Sequence, residues 1–523
     1  NTTRPYTDIY YRLGTKQEQM LELLHSQNVN PRWNITAQYR KIGSPGFYKF
    51  QRTNHDNLAW WTNYMSLDQH YQLKAGIVYN KWQQDENGGI TDENYLSSTK
   101  YNDKQLVPVE IDGKSSTRST VANYFRSVSF RLDHQYALGK TDSIYTADST
   151  GLVARFKPFI GLHHTLYVDF NYHLFKDLTP ITEDYSRLGN FEFADYDSLQ
   201  IKYAQRVIGN TLSLKGNLYW RDHVLQVEAG YGLEVETPSN GPYQQTYSNS
   251  FLVGTLKKPM RHEKDWFVNA NLRTYFTGNA KGNFLVEANA FKKAGHGLGV
   301  IEVGFAQSLQ SAPYNFVEYG SNYFRFTQTF SKLSQTHIYG KYRLPNYKVS
   351  LEGHYYLIGN YMYRDTNWVS QQYKKVFPLL QLDLTKIFNW RHWYLDNLMV
   401  MQVADEDVPL HIPLFASRHR LAYEHRLFNK KLGLASGVEM RWNSPYLADN
   451  YSPVWNSFVS QYSRHVWNYP QWSVFFNFRV KRFRASVAVD QVQQLATANH
   501  INYAGYGAQN FAFRFGFHWA MIN

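Results

Sequence analysis

Large apolar residues and small or polar ones take turns along most of this chain. Trp33, Ile35, Ala37 and Tyr39 alternate with Asn34, Thr36, Gln38 and Arg40, and Tyr71, Leu73, Ala75, Ile77 and Tyr79 alternate with Gln72, Lys74, Gly76, Val78 and Asn80. Val128, Phe130, Leu132 and Tyr136 interleave with Ser127, Ser129, Arg131, Asp133 and Gln135. Leu212, Leu214, Leu218 and Trp220 lead through a short turn into Leu225, Val227, Ala229, Tyr231, Leu233 and Val235. The chain closes the same way, with Phe511, Phe513, Phe515, Phe517 and Trp519 separated by Ala512, Arg514, Gly516 and His518. A strand sends successive side chains to opposite faces, so this period of two predicts strands with one apolar and one polar face. Residues 17–24 have an ambiguous period and read as a strand because their neighbours do.

Turn lengths add an orientation. Short turns fall near 28–32, 66–69, 220–223, 292–297, 344–347, 427–431 and 480–483, and long connections at 83–121, 177–202, 443–470 and 495–509. Counted strand by strand, the short turns gather at one end and the long connections at the other, with 139–161 a long segment on the short-turn end. If Asn322–Leu344 is one long strand the total is about 22, within a range of about 18–24. The pattern predicts an all-β fold: a single closed antiparallel transmembrane β-barrel, one domain over 1–523, with short periplasmic turns and long extracellular loops. A soluble sandwich would complete a domain after about seven strands, and a propeller would repeat every 40–50 residues or so. Neither a domain break nor such a repeat is visible.

Composition sharpens this reading. Tyr 42, Phe 33 and Trp 14 make up 17% of the chain, yet its mean hydropathy is negative. A barrel reconciles the two, because half of each strand faces a polar lumen and the loops are polar. No apolar run approaches the roughly 18 residues of a membrane-spanning helix. Trp33, Tyr39, Trp82, Trp220, Trp442 and Trp519 lie near strand ends, where interfacial aromatic girdles form, and Phe511, Phe513, Phe515 and Phe517 are expected to face lipid. With no Cys in the chain, disulfides, thiolate metal sites and a Cys nucleophile are excluded.

The charge, +13 overall, is unevenly placed. Lys257, Lys258 and Arg261, Lys292 and Lys293, Lys430 and Lys431, and Lys481, Arg482 and Arg484 all fall at short turns. There they either snorkel toward membrane phosphates or sit as ordinary solvated turn charges. Either reading explains the basic balance without nucleic acid, for which no motif or stripe is present. The long loops are acidic: Asp85, Glu86, Asp92, Glu93, Asp103, Glu110 and Asp112 in one, and Asp177, Glu183, Asp184, Glu192, Asp195 and Asp197 in the next. Asp85, Glu86, Asp92 and Glu93 are candidate ligands for a structural Ca²⁺, with a solvated acidic loop as the alternative, since the spacing is not that of an EF-hand. No other cofactor is expected. On the polar strand faces, Arg40, Lys74, Arg131, Arg441, Arg479 and Arg514 are expected to share the lumen with Asp133, Asp169, Glu228, Glu287, Glu439 and Asp490. They either set ion selectivity or form cross-strand pairs that stiffen the wall. No GxSxG elbow or HExxH motif appears, His163–His164 reads as a rim pair, and no enzymatic activity is expected.

Several phrases go beyond periodicity. PYTDIYYRLGTKQEQ (5–19), HSQNVNPRWN (25–34), GFYKFQRTNH (46–55) and ENGGI (86–90) resemble the putative porin family of Bacteroidota outer membranes. So do GVEMRWNSPY (437–446), YPQWSVFFNF (469–478) and VKRFR (480–484). The resemblance implies a large barrel, integral to the outer membrane of a Gram-negative bacterium, and passive transport. It transfers no functional residues. An upstream segment is expected before Asn1, and the MetIleAsn end departs from the aromatic end common in barrels. Two functions follow. One is a porin-like channel for passive diffusion of small hydrophilic solutes. The other is a β-barrel subunit of a larger outer-membrane complex for secretion, assembly or nutrient uptake, with a plugged or non-conducting lumen. A TonB-dependent transporter shares the strand number, but these residues leave no room for its N-terminal plug. Expected partners are outer-membrane lipids and lipopolysaccharide, with other outer-membrane proteins or lipoproteins in the second case.

Overall fold

The structure, a computed structural model, describes residues 4–111, 121–145, 152–188, 198–220, 223–262, 265–295, 297–467, 469–495 and 501–522. Among them, twenty-two strands run in chain order from Tyr6–Gly14 to Ala512–Ile522, each antiparallel to the next. The last strand pairs with the first from Tyr6↔Ile522 to Gly14↔Arg514, so the sheet closes on itself. A two-residue strand, Tyr243–Gln244, folds back on Ser239 and Asn240 as an appendage of the same sheet. Among the described residues no helix is long and apolar enough to cross a membrane. Closure leaves no unpaired strand edge, which lipid would not tolerate.

The registers place the alternating apolar residues outside. Tyr231, Leu233 and Val235 stand opposite Leu212, Asn210 and Ile208, and on this face Leu212, Leu214, Leu218, Ile301, Val303, Ile338, Leu380 and Leu382 are all exposed. Phe511, Phe513, Phe515 and Trp519 are exposed too, and Phe517 shares their face. Trp33, Trp220, Trp266, Trp390, Trp393 and Trp519 ring the short-turn end, where Lys292 lies over Trp266 and Arg391 over Trp390. This is an aromatic girdle with cations beside it. Tyr39 faces outward toward the opposite end and donates to Asp56 at 2.9 Å. Trp442 is outward as well, against Phe415, but Trp82 is not a girdle residue. It faces the lumen, stacked on Phe125, because its strand places it opposite inward-facing His55.

One local reading changes and two gain detail. Asn322–Leu344 is not one strand: the wall strand is Leu333–Leu344, while Glu318–Gly320 and Arg325–Thr327 form a separate hairpin. Phe324 and Phe326 alternate as strand residues do, but they pack on other loops. Segment 17–24 lacks a clear period because its strand, Glu18–Asn30, puts Met20 and Leu24 on the lumen face and Leu21 and Leu23 outside. The long segment at the short-turn end is a paired extension of two strands, Val121–Tyr145 and Leu152–Asp177, with a register shift at Gly139. A Cβ on Gly139 would fall 2.1 Å from the Lys157 carbonyl oxygen, so the shift needs glycine there.

Phe515 pairs with Leu13 and Val487 within the outward face of the closing strand. Phe515→Arg is expected to cost about 2–4 kcal/mol of barrel stability if it sits near the bilayer midplane. The check is reversible urea unfolding in liposomes; a midpoint equal to wild type refutes the lipid-facing placement.

Candidate functional site

The lumen wall carries all twelve charges picked from the sequence. Arg40 pairs with Glu22 at 2.8 Å, Arg131 with Asp133 at 2.7 Å, and Arg441 with Glu439 at 2.7 Å. Arg514 bridges Glu18 at 2.8 Å and Asp490, and Arg12 also reaches Glu18 at 2.8 Å. These four residues tie the first two strands to the last two across the closing seam. Glu228 meets His163 at 2.7 Å and Lys215 at 3.4 Å, and accepts from Ser213 at 2.5 Å. Arg479 donates to the Lys481 carbonyl at 3.0 Å. Lys74, Asp169 and Glu287 face the lumen by register, without an ion pair among the described residues. His163 and His164 are not a rim pair. They lie inside one strand and diverge, His163 into the lumen beside Asp133 and Glu228, His164 outward to His134 at 2.9 Å.

The four candidate Ca²⁺ ligands do not share a centre. Glu86 accepts from Asn123 at 2.7 Å and Tyr451 at 2.9 Å, Asp92 caps a 3₁₀ turn through the Asn94 N–H at 2.8 Å, and Glu93 pairs with Arg464. Asp85 accepts from Gln83 at 3.3 Å. Asp112, Glu192, Asp195 and Asp197 lie outside the described residues. Among the described residues, Glu352, His354 and Asp383 bring ligand atoms within 4.8 Å of one another. There Lys341 already pairs with Glu352, and the Gln381 amide donates to Asp383 at 2.9 Å.

The extracellular end is covered by its own loops. The loop 444–470 leaves the wall between Leu432–Asn443 and Gln471–Val480, yet its Pro453 carbonyl accepts from Asn123, on a strand nearly opposite in the ring. On the way it meets the loop 311–332: Tyr319 stacks on Trp455 at 3.5 Å and donates to the Val454 carbonyl at 2.9 Å. Val454 and Val466 are fully buried and join Phe175, Tyr185, Leu199 and Val107 in two apolar clusters that tie the loops together. Tyr48 anchors one side by donating to the Ala508 carbonyl at 3.1 Å. Beneath this cover lies a cavity of about 680 Å³, and a second of about 880 Å³ opens at the closing seam between Asp8, Arg12, Glu22, Arg479 and His518. Sequence inspection missed the cover, although apolar Val454, Trp455, Phe458 and Val459 inside a nominally polar loop were its visible sign.

Glu86 fastens the cover to the wall. It is buried, and burial pushes its carboxyl up to about 8 despite the two hydrogen bonds; Asp85 adds to the rise, and Tyr451 and Tyr506 are the other titratable groups facing it. A carboxyl whose pKa is raised in the closed state favours closure below the ordinary carboxylic range and loses that contribution as pH climbs to about 8. Hydrogen-exchange protection of residues 450–460 should therefore fall between about pH 5 and pH 8 in the wild type and stay level in Glu86→Gln. Parallel pH responses in both proteins would count against this latch.

A family model described as "Putative porin" matches residues 1–523 of the chain. No curated protein matches it. Among solved structures, it is similar to the ferric-catecholate import receptor Fiu from E. coli K12, at 11% identity and a TM-score of 0.62, covering 100% of this chain and 82% of that one. It is also similar to the copper transporter OprC, at 10% identity and a TM-score of 0.65, covering 99% and 80%. A mutant of the ferric enterobactin receptor PfeA from Pseudomonas aeruginosa gives 10% identity and a TM-score of 0.66, covering 99% and 81%. At such identity the likeness establishes the fold alone: a large closed outer-membrane barrel.

Proposed function

The chain belongs to the putative porin family, and from that premise we propose that it is an outer-membrane channel for small hydrophilic solutes, with passage restricted by its loop cover. The observation that carries this reading is the loop 444–470 crossing the mouth above two lumen cavities. Solute enters around or under the cover, travels along a wall of paired charges, and leaves at the periplasmic end. No step of this requires catalysis or a cofactor. Because the wall charges are largely paired, the field along the path is weak and transport discriminates by size more than by sign. The solved relatives named as importers and receptors are compatible with uptake as the direction of traffic.

A second reading, a barrel subunit of a larger outer-membrane complex, rests on the same cover taken as a permanent closure. Planar-bilayer recording separates the two. The wild type should give small single-channel steps with weak charge preference, and replacing residues 450–460 with a short Gly-Ser linker should enlarge them severalfold. Silence from both proteins refutes the channel and leaves the complex subunit. Steps of equal size in both refute the cover as the restriction.

A further inference from the structure

The cavity beneath the cover contains a buried cation with no anion beside it. Arg364, at the top of the strand Val349–Arg364, is 5% exposed. Its guanidinium lies 3.7 Å from the Trp455 ring centre and 4.2 Å from that of Phe316. It donates to Ser457 Oγ at 3.0 Å and the Asn315 carbonyl at 3.4 Å, while Nε has no partner. Among the described residues no carboxylate reaches it. Asp449, the carboxylate that lines the same cavity, is taken by His411 Nδ1 at 2.6 Å. Aromatic faces compensate a guanidinium only in part, so a buried arginine left without an anion is costly.

The opposite wall suits an anion too. Trp82, Phe125 and His173 stand side by side on three neighbouring strands, with ring centres 3.7 Å and 4.1 Å apart and nearly parallel planes. Rings stacked face to face present their edges to the cavity, and ring edges are the positive part of the aromatic quadrupole. Asn80, Ser127, Asn171, Tyr203 and Tyr363 complete the lining, all residue types that can hydrogen-bond hydroxyls. A volume of about 680 Å³ falls within the size of small-molecule sites.

We infer that this cavity is a binding site for a small polyhydroxylated monoanion whose anionic head pairs with Arg364 and whose hydroxylated body lies along the Asn80–Ser127–Asn171 wall. The inference rests on the solute-channel reading and names the class of solute held on the way in. A sugar carboxylate and a sugar sulfate share this chemistry, and a planar head engages the guanidinium fork through two parallel hydrogen bonds.

The test is equilibrium titration calorimetry on the full chain in detergent, with D-glucuronate, glucose 6-sulfate and glucose as probes. At least one anion should bind saturably and at least about tenfold more tightly than glucose, and the better of the two identifies the head group. Arg364→Met should remove that preference. Because this change touches the cover, Ser127→Asp serves as a second variant: it puts a carboxylate into the cavity from the wall strand Val121–Tyr145 and should weaken anion binding by at least about tenfold, with hydrogen exchange of residues 450–460 unchanged. Equal binding of glucose and the anions, no binding of either anion, or undiminished anion binding by Ser127→Asp overturns the assignment. Binding is read without conductance, so failure here leaves the channel reading standing, and a silent bilayer leaves the binding site standing.

Discussion

Lipid offers a backbone no hydrogen bonds, and everything else in this protein depends on how the chain meets that constraint. Each strand must find partners on both sides, and the first and last strands can do so only by finding each other. The pairing of Tyr6–Gly14 with Ala512–Ile522 is therefore the contact on which the architecture turns. It is also the contact of greatest sequence separation, so the loop-closure entropy it costs is the largest in the molecule. Here the sheet is reinforced from the water side, where Arg514 and Arg12 converge on Glu18 while Arg514 also holds Asp490, and His518 meets Asp8 at 2.5 Å. Charged hydrogen bonds inside the lumen are screened less than surface pairs and add registry to a strand pair that no short turn fixes.

Closure around twenty-two strands creates a second problem, a wide hole. The wall answers it partly with long side chains in opposite-charge pairs and partly with loops. The loop cover is built like a small globular core: Tyr319 on Trp455, Val454 and Val466 fully buried, Phe175 from the strand rim and Tyr185 from the 3₁₀ turn that follows it. Its contacts run between loops and the wall rather than within one loop. Glu86, Asn123 and Tyr451 form one junction, and Arg364 with Trp455 and Ser457 forms another. Both junctions place a titratable or charged group where water is excluded, as an apolar lid would not.

The outward face and the girdles were legible at once. Leu212 to Trp220 and Phe511 to Trp519 carry a period of two that lipid on one side and water on the other impose residue by residue. The turns were equally plain, since two-residue connections such as Pro31–Arg32 and Lys481–Arg482 interrupt the alternation sharply. The same logic misread Asn322–Thr327, where the apolar partner is another loop, and Trp82, whose ring belongs to the cavity wall. Alternation reports that a side chain leaves water without saying what receives it.

The sequence by itself determined the run of alternating strands, the inside and outside of the wall and the charges that face the lumen, because each depends on local order along one strand. The tertiary structure alone decided which charges pair, that the loop 444–470 crosses the mouth to Asn123, that the four loop carboxylates go to separate partners, and that Arg364 is left between two rings. Those are contacts between segments far apart in the chain. Their distances are set by closure of the ring, and nothing local to either partner encodes them.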